Sequence, residues 1–342
     1  MRYPEFLKEH GTVGFVAPSF GCTTEPYTSA FAKARQRIEE AGYRTAAAPA
    51  CFAEDGIGIS SSPERCGREL TEWYCSADND ILISAGGGEL MCEILDYVDF
   101  DRISEAPAKW FMGYSDNTNF TFPLATLCDT AAIYGPNAPG FGQSVLHPAM
   151  TDAWEVLTGK RTRVESFDLF ELPEEKDPDE EPTVDWKLNT PVKLVPFPEG
   201  AFAARGRLLG GCLDILGGCL LGTSWDRTEA FAAKYKDDGI LWYLEACDLN
   251  VFDVRRTLWH MLHAGWFRNA SGFIFGRPMH FGESAMGLDH YRAVTDVLGG
   301  LGVPILMDAD IGHLPPRMPI VNGALADARL VGGRLVIDMQ MV

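Results

Sequence analysis

The chain of 342 residues carries 29 Lys and Arg against 48 Asp and Glu, a net charge of −19, which argues against nucleic acid or an anionic membrane surface as partner. Its hydrophobic share of 46% and charged share of 23% are those of a globular protein, long enough for two domains. Nine scattered cysteines without a C-x-x-C pair read as small buried hydrophobes of a reducing compartment, the opening "MRYPEFLKEHG" is no signal peptide, and no apolar run reaches membrane-spanning length, so a cytoplasmic protein is expected.

In chain order, "TVGFVAPS" (12–19) is an apolar run closed by Pro and Ser, a buried strand entering a loop. "AFAKARQRIEEAGYRTAAAP" has helical spacing that stops at Gly42, followed by a short strand. "SSPERCGRELTEWYC" opens with Ser and Pro like a helix start. "NDILISAGGG" (79–88) is a buried strand ending in glycines, "MCEILDYVDFDRI" is helical, "AKWFMGYS" is a strand and "NTNFTFPLATLCD" a helix. This alternation predicts a parallel α/β sheet whose loops at the strand C-terminal ends carry the site. Residues 166–186, "SFDLFELPEEKDPDEEPTVDW", are rich in Glu, Asp and Pro and read as an excursion between domains. Beyond it come "ARGRLLGGCLDILGGCLLGTSW", a strand "GILWYLEACD", a helix "NVFDVRRTLWHMLHAGWF", strands "ASGFIFG" and "VPILMDADIG", and an alternating tail from 321. The expected domains are 1–160, an acidic linker or loop at 161–195, and 196–342.

Within "KWFMGYSDNTNF" (109–120) a short apolar strand ends in a turn, and Ser115 or Asp116 is placed to cap the helix that follows. The same place suits a nucleophile, because helix N-terminal N–H groups lie beside the Ser115 hydroxyl. "GYSDN" is not the G-x-S-x-G elbow, since Asn117 stands where the last glycine belongs. A serine nucleophile needs a base, and the base an orienting acid. Of seven histidines, His280 and His313 each follow a predicted strand; His260 and His263 share a helical face, but no H-E-x-x-H accompanies them. Glu245 is the first charge in "GILWYLEACD", where burial demands a partner: an orienting role, or an ion pair with Arg255 or Arg256. Glycines 86–88 allow close backbone approach, as a turn or as an oxyanion-hole loop together with Asp116. Neither G-x-G-x-x-G nor G-x-x-x-x-G-K-[ST] occurs, so a nucleotide-dependent oxidoreductase is disfavoured.

Taken together, "GTVGFVAPS", the double glycine before "LDYVDF", "GYSDNT", "YGP" (134–136), "LLGGCLDILGGCLLGT", "LWYLEACD", "GFIFG" and "DIGHLPPRMPIVNGALA" resemble the LD-carboxypeptidase and microcin-immunity family of serine peptidases. The resemblance implies a Ser–Glu–His triad: Ser115 as nucleophile, His313 as general base and then acid, and Glu245 orienting His313. It implies an oxyanion hole from backbone N–H groups, placed at Gly88 and Asp116, with Gly87 and Gly88 matching the family's double glycine. It further implies an N-terminal parallel-sheet domain, a C-terminal swivelling-type α/β domain, a homodimer, and no metal or organic cofactor. The chain departs from the family at Cys212, where Asn is frequent, and at Ser84-Ala85-Gly86, where LD-carboxypeptidases tend to carry Arg. The second departure favours the microcin-immunity branch, in which an aromatic stacks on a nucleobase. Trp186 is the candidate for that role, or else an anchor for the acidic segment. The expected substrate is a small peptide-like molecule, either a peptidyl or aminoacyl nucleotide or a muropeptide losing a terminal D-amino acid. A non-catalytic ligand-binding protein is the alternative of another class.

Overall fold

The structure is a computed structural model that describes residues 1–172 and 186–341. Its backbone contacts divide the chain into two compact units. The first comprises residues 1–161. Its strands β1 (Thr12–Val16), β2 (Arg44–Ala47), β3 (Ile81–Ser84), β4 (Trp110–Gly113) and β5 (Ala132–Tyr134) lie in the order β5-β4-β3-β1-β2, every pairing parallel. β1, β3 and β4 are buried along their whole length, which is why they read as unbroken apolar runs and do not alternate. Amphipathic helices cover the sheet. Tyr27–Glu40 turns Ala30, Phe31, Ala34 and Ile38 inward, and Pro63–Cys75 starts at Ser62, whose side chain accepts the Arg65 N–H.

The second unit gathers residues 162–172 and 186–341. Four parallel strands form its centre: Ala203–Cys212, Ile240–Glu245, Ala270–Gly276 and Ile305–Ala309. Antiparallel strands flank them: Leu325–Val331 and Arg334–Gln340 beside the first, Val195–Phe197 beside the last. Of the acidic segment, residues 173–185 lie outside the described residues. Its flanks are built into this unit: Arg163–Glu165 pairs with Arg334–Gln340, and Leu169–Phe170 with Thr190–Pro191. No helix among the described residues is long and apolar enough to cross a membrane.

Candidate active site

In the first unit the loops after β1, β3 and β4 meet at Ser115. The chain leaves β4 through Tyr114 in extended conformation (φ −135°, ψ −176°) and turns at Ser115 with φ +65°, a left-handed value that a side-chain-bearing residue rarely holds. A single turn, Ser115–Asn117, then leads into the helix Thr118–Thr126. The expected cap is not made: neither helix start has a side-chain capping bond. The turn is instead held from outside. Tyr134 Oη accepts the Ser115 N–H at 3.2 Å, and Asn137 Oδ1 accepts the Tyr114 N–H at 3.3 Å. Asn117 Nδ2 donates to the Gly86 carbonyl at 2.8 Å. Backbone strain maintained by several independent contacts is a feature that clusters at functional sites.

The glycine loop lies directly against the serine. A Cβ added at Gly87 would stand 3.1 Å from Ser115 Cβ and 3.3 Å from its Oγ, tighter than ordinary contacts. Among the described residues the Gly88 N–H has no hydrogen-bond acceptor. Asp116 occupies the first turn, where N–H groups lack intrahelical acceptors. Its carboxyl is buried, and burial pushes its pKa up against the hydrogen bonds it receives.

In the second unit Glu245 closes its strand and is 1% exposed. Its Oε2 lies 2.8 Å from Nδ1 of His313, a residue of the loop after Ile305–Ala309. Arg255 and Arg256, the alternative partners, pair with Asp296 and Asp253. The close approach depends on glycine: at Gly312 (φ +106°) a Cβ would come 2.6 Å from Glu245 Oε2. Arg317 fixes the same loop, donating Nε to the Gly312 carbonyl at 2.9 Å and Nη2 to that of His313 at 3.2 Å. A carboxylate accepting from Nδ1 leaves Nε2 as the proton acceptor of a neutral imidazole. Cys212 faces Glu245 across the parallel register, and its Sγ lies 3.2 Å from Asp214 Oδ2. Burial, followed by the charges of Glu245 and Asp214, pushes the pKa of the Cys212 thiol well up.

His280 pairs with exposed Glu283, and His263 packs against Trp259 with the ring planes tilted by 44° and centroids 4.2 Å apart. Among the described residues no cluster of three or more His, Cys, Asp or Glu could hold a metal. Trp186 is half-buried, with the Arg317 guanidinium carbon 5.8 Å from its ring centroid, so it packs over the residue that pins the His313 loop. Sequence reasoning missed Ser19, Asn117, Tyr134, Asn137 and Arg317. All but Asn137 lie within the segments that carried the family resemblance, but nothing in their spacing reveals their partners.

Comparison with known proteins identifies the family and the fold. The family model for the LD-carboxypeptidase N-terminal domain matches residues 13–135, and that for the LD-carboxypeptidase C-terminal domain residues 205–327. The microcin C7 self-immunity protein MccF of Escherichia coli is 25% identical over 324 residues, covering 91% of this chain and 88% of its own. A putative carboxypeptidase of Streptomyces coelicolor is 26% identical over 274 residues, covering 79% of this chain and 75% of its own. A solved structure of the microcin C7 self-immunity protein in complex with aspartyl sulfamoyl adenosine shares the fold at TM-score 0.81 and 19% identity, with all of both chains covered. Matched in both of its units by the two domain models of one family, the chain belongs to the LD-carboxypeptidase family of peptidases.

Proposed function

We propose that the protein is a cytoplasmic serine hydrolase that cleaves an amide bond in a small peptidyl or aminoacyl nucleotide. The observation that carries the reading is the buried bond between His313 Nδ1 and Glu245 Oε2. That arrangement prepares an imidazole to take a hydroxyl proton, and the family resemblance assigns the strained Ser115 as the hydroxyl that supplies it. Ser115 Oγ attacks the scissile carbonyl carbon while His313 Nε2 accepts its proton, and Glu245 stabilises the imidazolium. The N–H groups of Gly88 and Asp116 receive the developing oxyanion, each contributing ~3 kcal/mol of barrier lowering. Collapse of the tetrahedral intermediate breaks the C–N bond, with the His313 proton passing to the leaving amine. Water, activated by the same imidazole, then releases the acyl group from Ser115.

Two similarities support the substrate class. The Escherichia coli relative is a microcin self-immunity protein, and a structure with this fold holds an aminoacyl sulfamoyl nucleoside. Trp186 is the side chain we assign to the nucleobase, and Gly87 leaves room for the acyl group beside Ser115. The Streptomyces relative, a putative carboxypeptidase, supports the second reading, release of a terminal D-amino acid from a muropeptide. Purified protein incubated with aspartyl sulfamoyl adenosine and with an L,D-tetrapeptide, followed by mass spectrometry, separates the two. Ser115→Ala is expected to abolish whichever cleavage is seen; full turnover by that variant would exclude the mechanism.

A further inference from the structure

The residue after the nucleophile does more than present an N–H. The Asp116 carboxylate is 1% exposed and collects hydrogen bonds from three separate segments of the first unit. The Ser19 hydroxyl, from the loop after β1, donates to Oδ2 at 2.5 Å. The Met91 N–H, just beyond the 86–88 loop, donates to the same oxygen at 3.0 Å. Asn119 Nδ2, on the following helix, donates to Oδ1 at 2.9 Å.

Ser19 is in turn the surface against which Gly88 lies, since a Cβ at Gly88 would collide with Ser19 Oγ. The next residue, Phe20, donates its N–H to the Gly87 carbonyl at 2.9 Å. Because the peptide unit is planar and trans, holding the Gly87 C=O on one side turns the Gly88 N–H to the other. Asn117 grips the preceding carbonyl, that of Gly86. The orientation of one N–H is therefore set by a relay that starts at Asp116.

From this juxtaposition we infer that Asp116 and Ser19 are positioning residues for acyl transfer: the Asp116 carboxylate fixes Ser19, and the Ser19–Phe20 segment fixes the Gly87–Gly88 peptide as an oxyanion donor. The inference rests on the proposed role of Ser115 and adds the device that orients the donor. Ser19→Ala leaves Ser115, Glu245 and His313 untouched but frees the peptide to shift. A misplacement of about 1 Å at a reacting centre lowers rate on the order of 100-fold. Asp116→Asn acts more strongly. An amide has one acceptor oxygen and one donor nitrogen, so it cannot receive all three bonds.

The test uses the full-length protein and two readouts. One is the rate of labelling by a fluorophosphonate probe, in which Ser115 Oγ forms the P–O bond as fluoride leaves. The other is kcat and KM for aspartyl sulfamoyl adenosine, both expressed per titratable active site, with melting temperatures alongside. Ser19→Ala is expected to lower the labelling rate and kcat about tenfold or more while KM stays within about twofold, as for a misplaced transition-state donor. Asp116→Asn moves both in the same direction and further. A Ser19→Ala protein that labels and turns over like the wild type overturns the inference, as does a deficit explained wholly by fewer active sites or by a raised KM. If Asp116→Asn does not fold, Ser19→Ala decides alone, and the labelling rate decides whatever the substrate. Ser115→Ala separates the two levels. Retained labelling and turnover in that variant would bring down the nucleophile assignment, whereas an inert Ser115→Ala beside an unaffected Ser19→Ala removes only the relay.

Discussion

His313 Nδ1 lies 2.8 Å from Glu245 Oε2, and the two residues are 7% and 1% exposed. In so dry a setting the carboxylate decides which ring nitrogen carries the proton. Glu245→Gln preserves the shape and removes the charge that, in the proposed mechanism, stabilises the imidazolium. The expected loss in kcat is on the order of 100- to 10,000-fold, with a melting temperature close to that of the wild type. Steady-state kinetics at fixed pH checks it, and an unchanged kcat would take Glu245 out of the mechanism.

Gly312→Ala should damage both stability and turnover. The position has φ +106°, and the new methyl would sit 2.6 Å from Glu245 Oε2. A destabilisation of about 1–3 kcal/mol is expected from the backbone conformation alone. Denaturant unfolding measures that part, and the kcat of the folded fraction measures displacement of the carboxylate. A variant normal in both would show that the loop relaxes freely.

Arg317→Met keeps the bulk of the side chain over Trp186 and deletes the bonds to the Gly312 and His313 carbonyls. Leaving buried acceptors unpaired costs about 1–3 kcal/mol. Because the lost bonds hold the loop of His313, the proposed base, kcat is expected to fall more than KM rises. A change confined to KM would assign Arg317 to substrate binding instead.

Lys109 gives a pH signature in the stability of the first unit. Its Nζ donates to the carbonyls of Trp73 and Ser76 and to Asn79 Oδ1, and burial lowers its pKa from 10.5 to about 8. Between about 8 and 10.5 the folded chain thus binds fewer protons at this site than the unfolded chain. Stability from Lys109 therefore rises with pH across that window, by no more than ~1.4 kcal/mol per pH unit. Unfolding free energies of wild type and Lys109→Met from pH 7 to 10.5 test the sign. The difference between them should change in the direction that favours the wild type as pH increases.

Much of the fold was legible because parallel strands covered on both faces must be apolar throughout. "ILIS" and "ILWYLE" each carry that signature, and each is buried along its length. Glu245 was legible for the same reason, as a charge ending such a run. The surroundings of Ser115 were not legible. Ser19 and Asp116 are separated by 97 positions, and a serine after a proline looks like any turn former. Asp116 read as a helix cap because local spacing permits it, but its carboxylate turns instead to partners from other loops. The partner of His290 was equally hidden. Its neighbour Asp289 caps the helix by accepting the Arg292 N–H, while the imidazole Nε2 lies 3.1 Å from Asp308 Oδ1, a pairing set by tertiary packing.

The left-handed backbone at residue 115 sets two selective pressures against each other. Glycine there would relieve the torsional penalty, about 1 kcal/mol or more, and so yield a sturdier protein without a hydroxyl. A screen for heat resistance alone would favour that inert glycine variant. On the proposed mechanism, serine at this position gives up part of that robustness for a hydroxyl able to react.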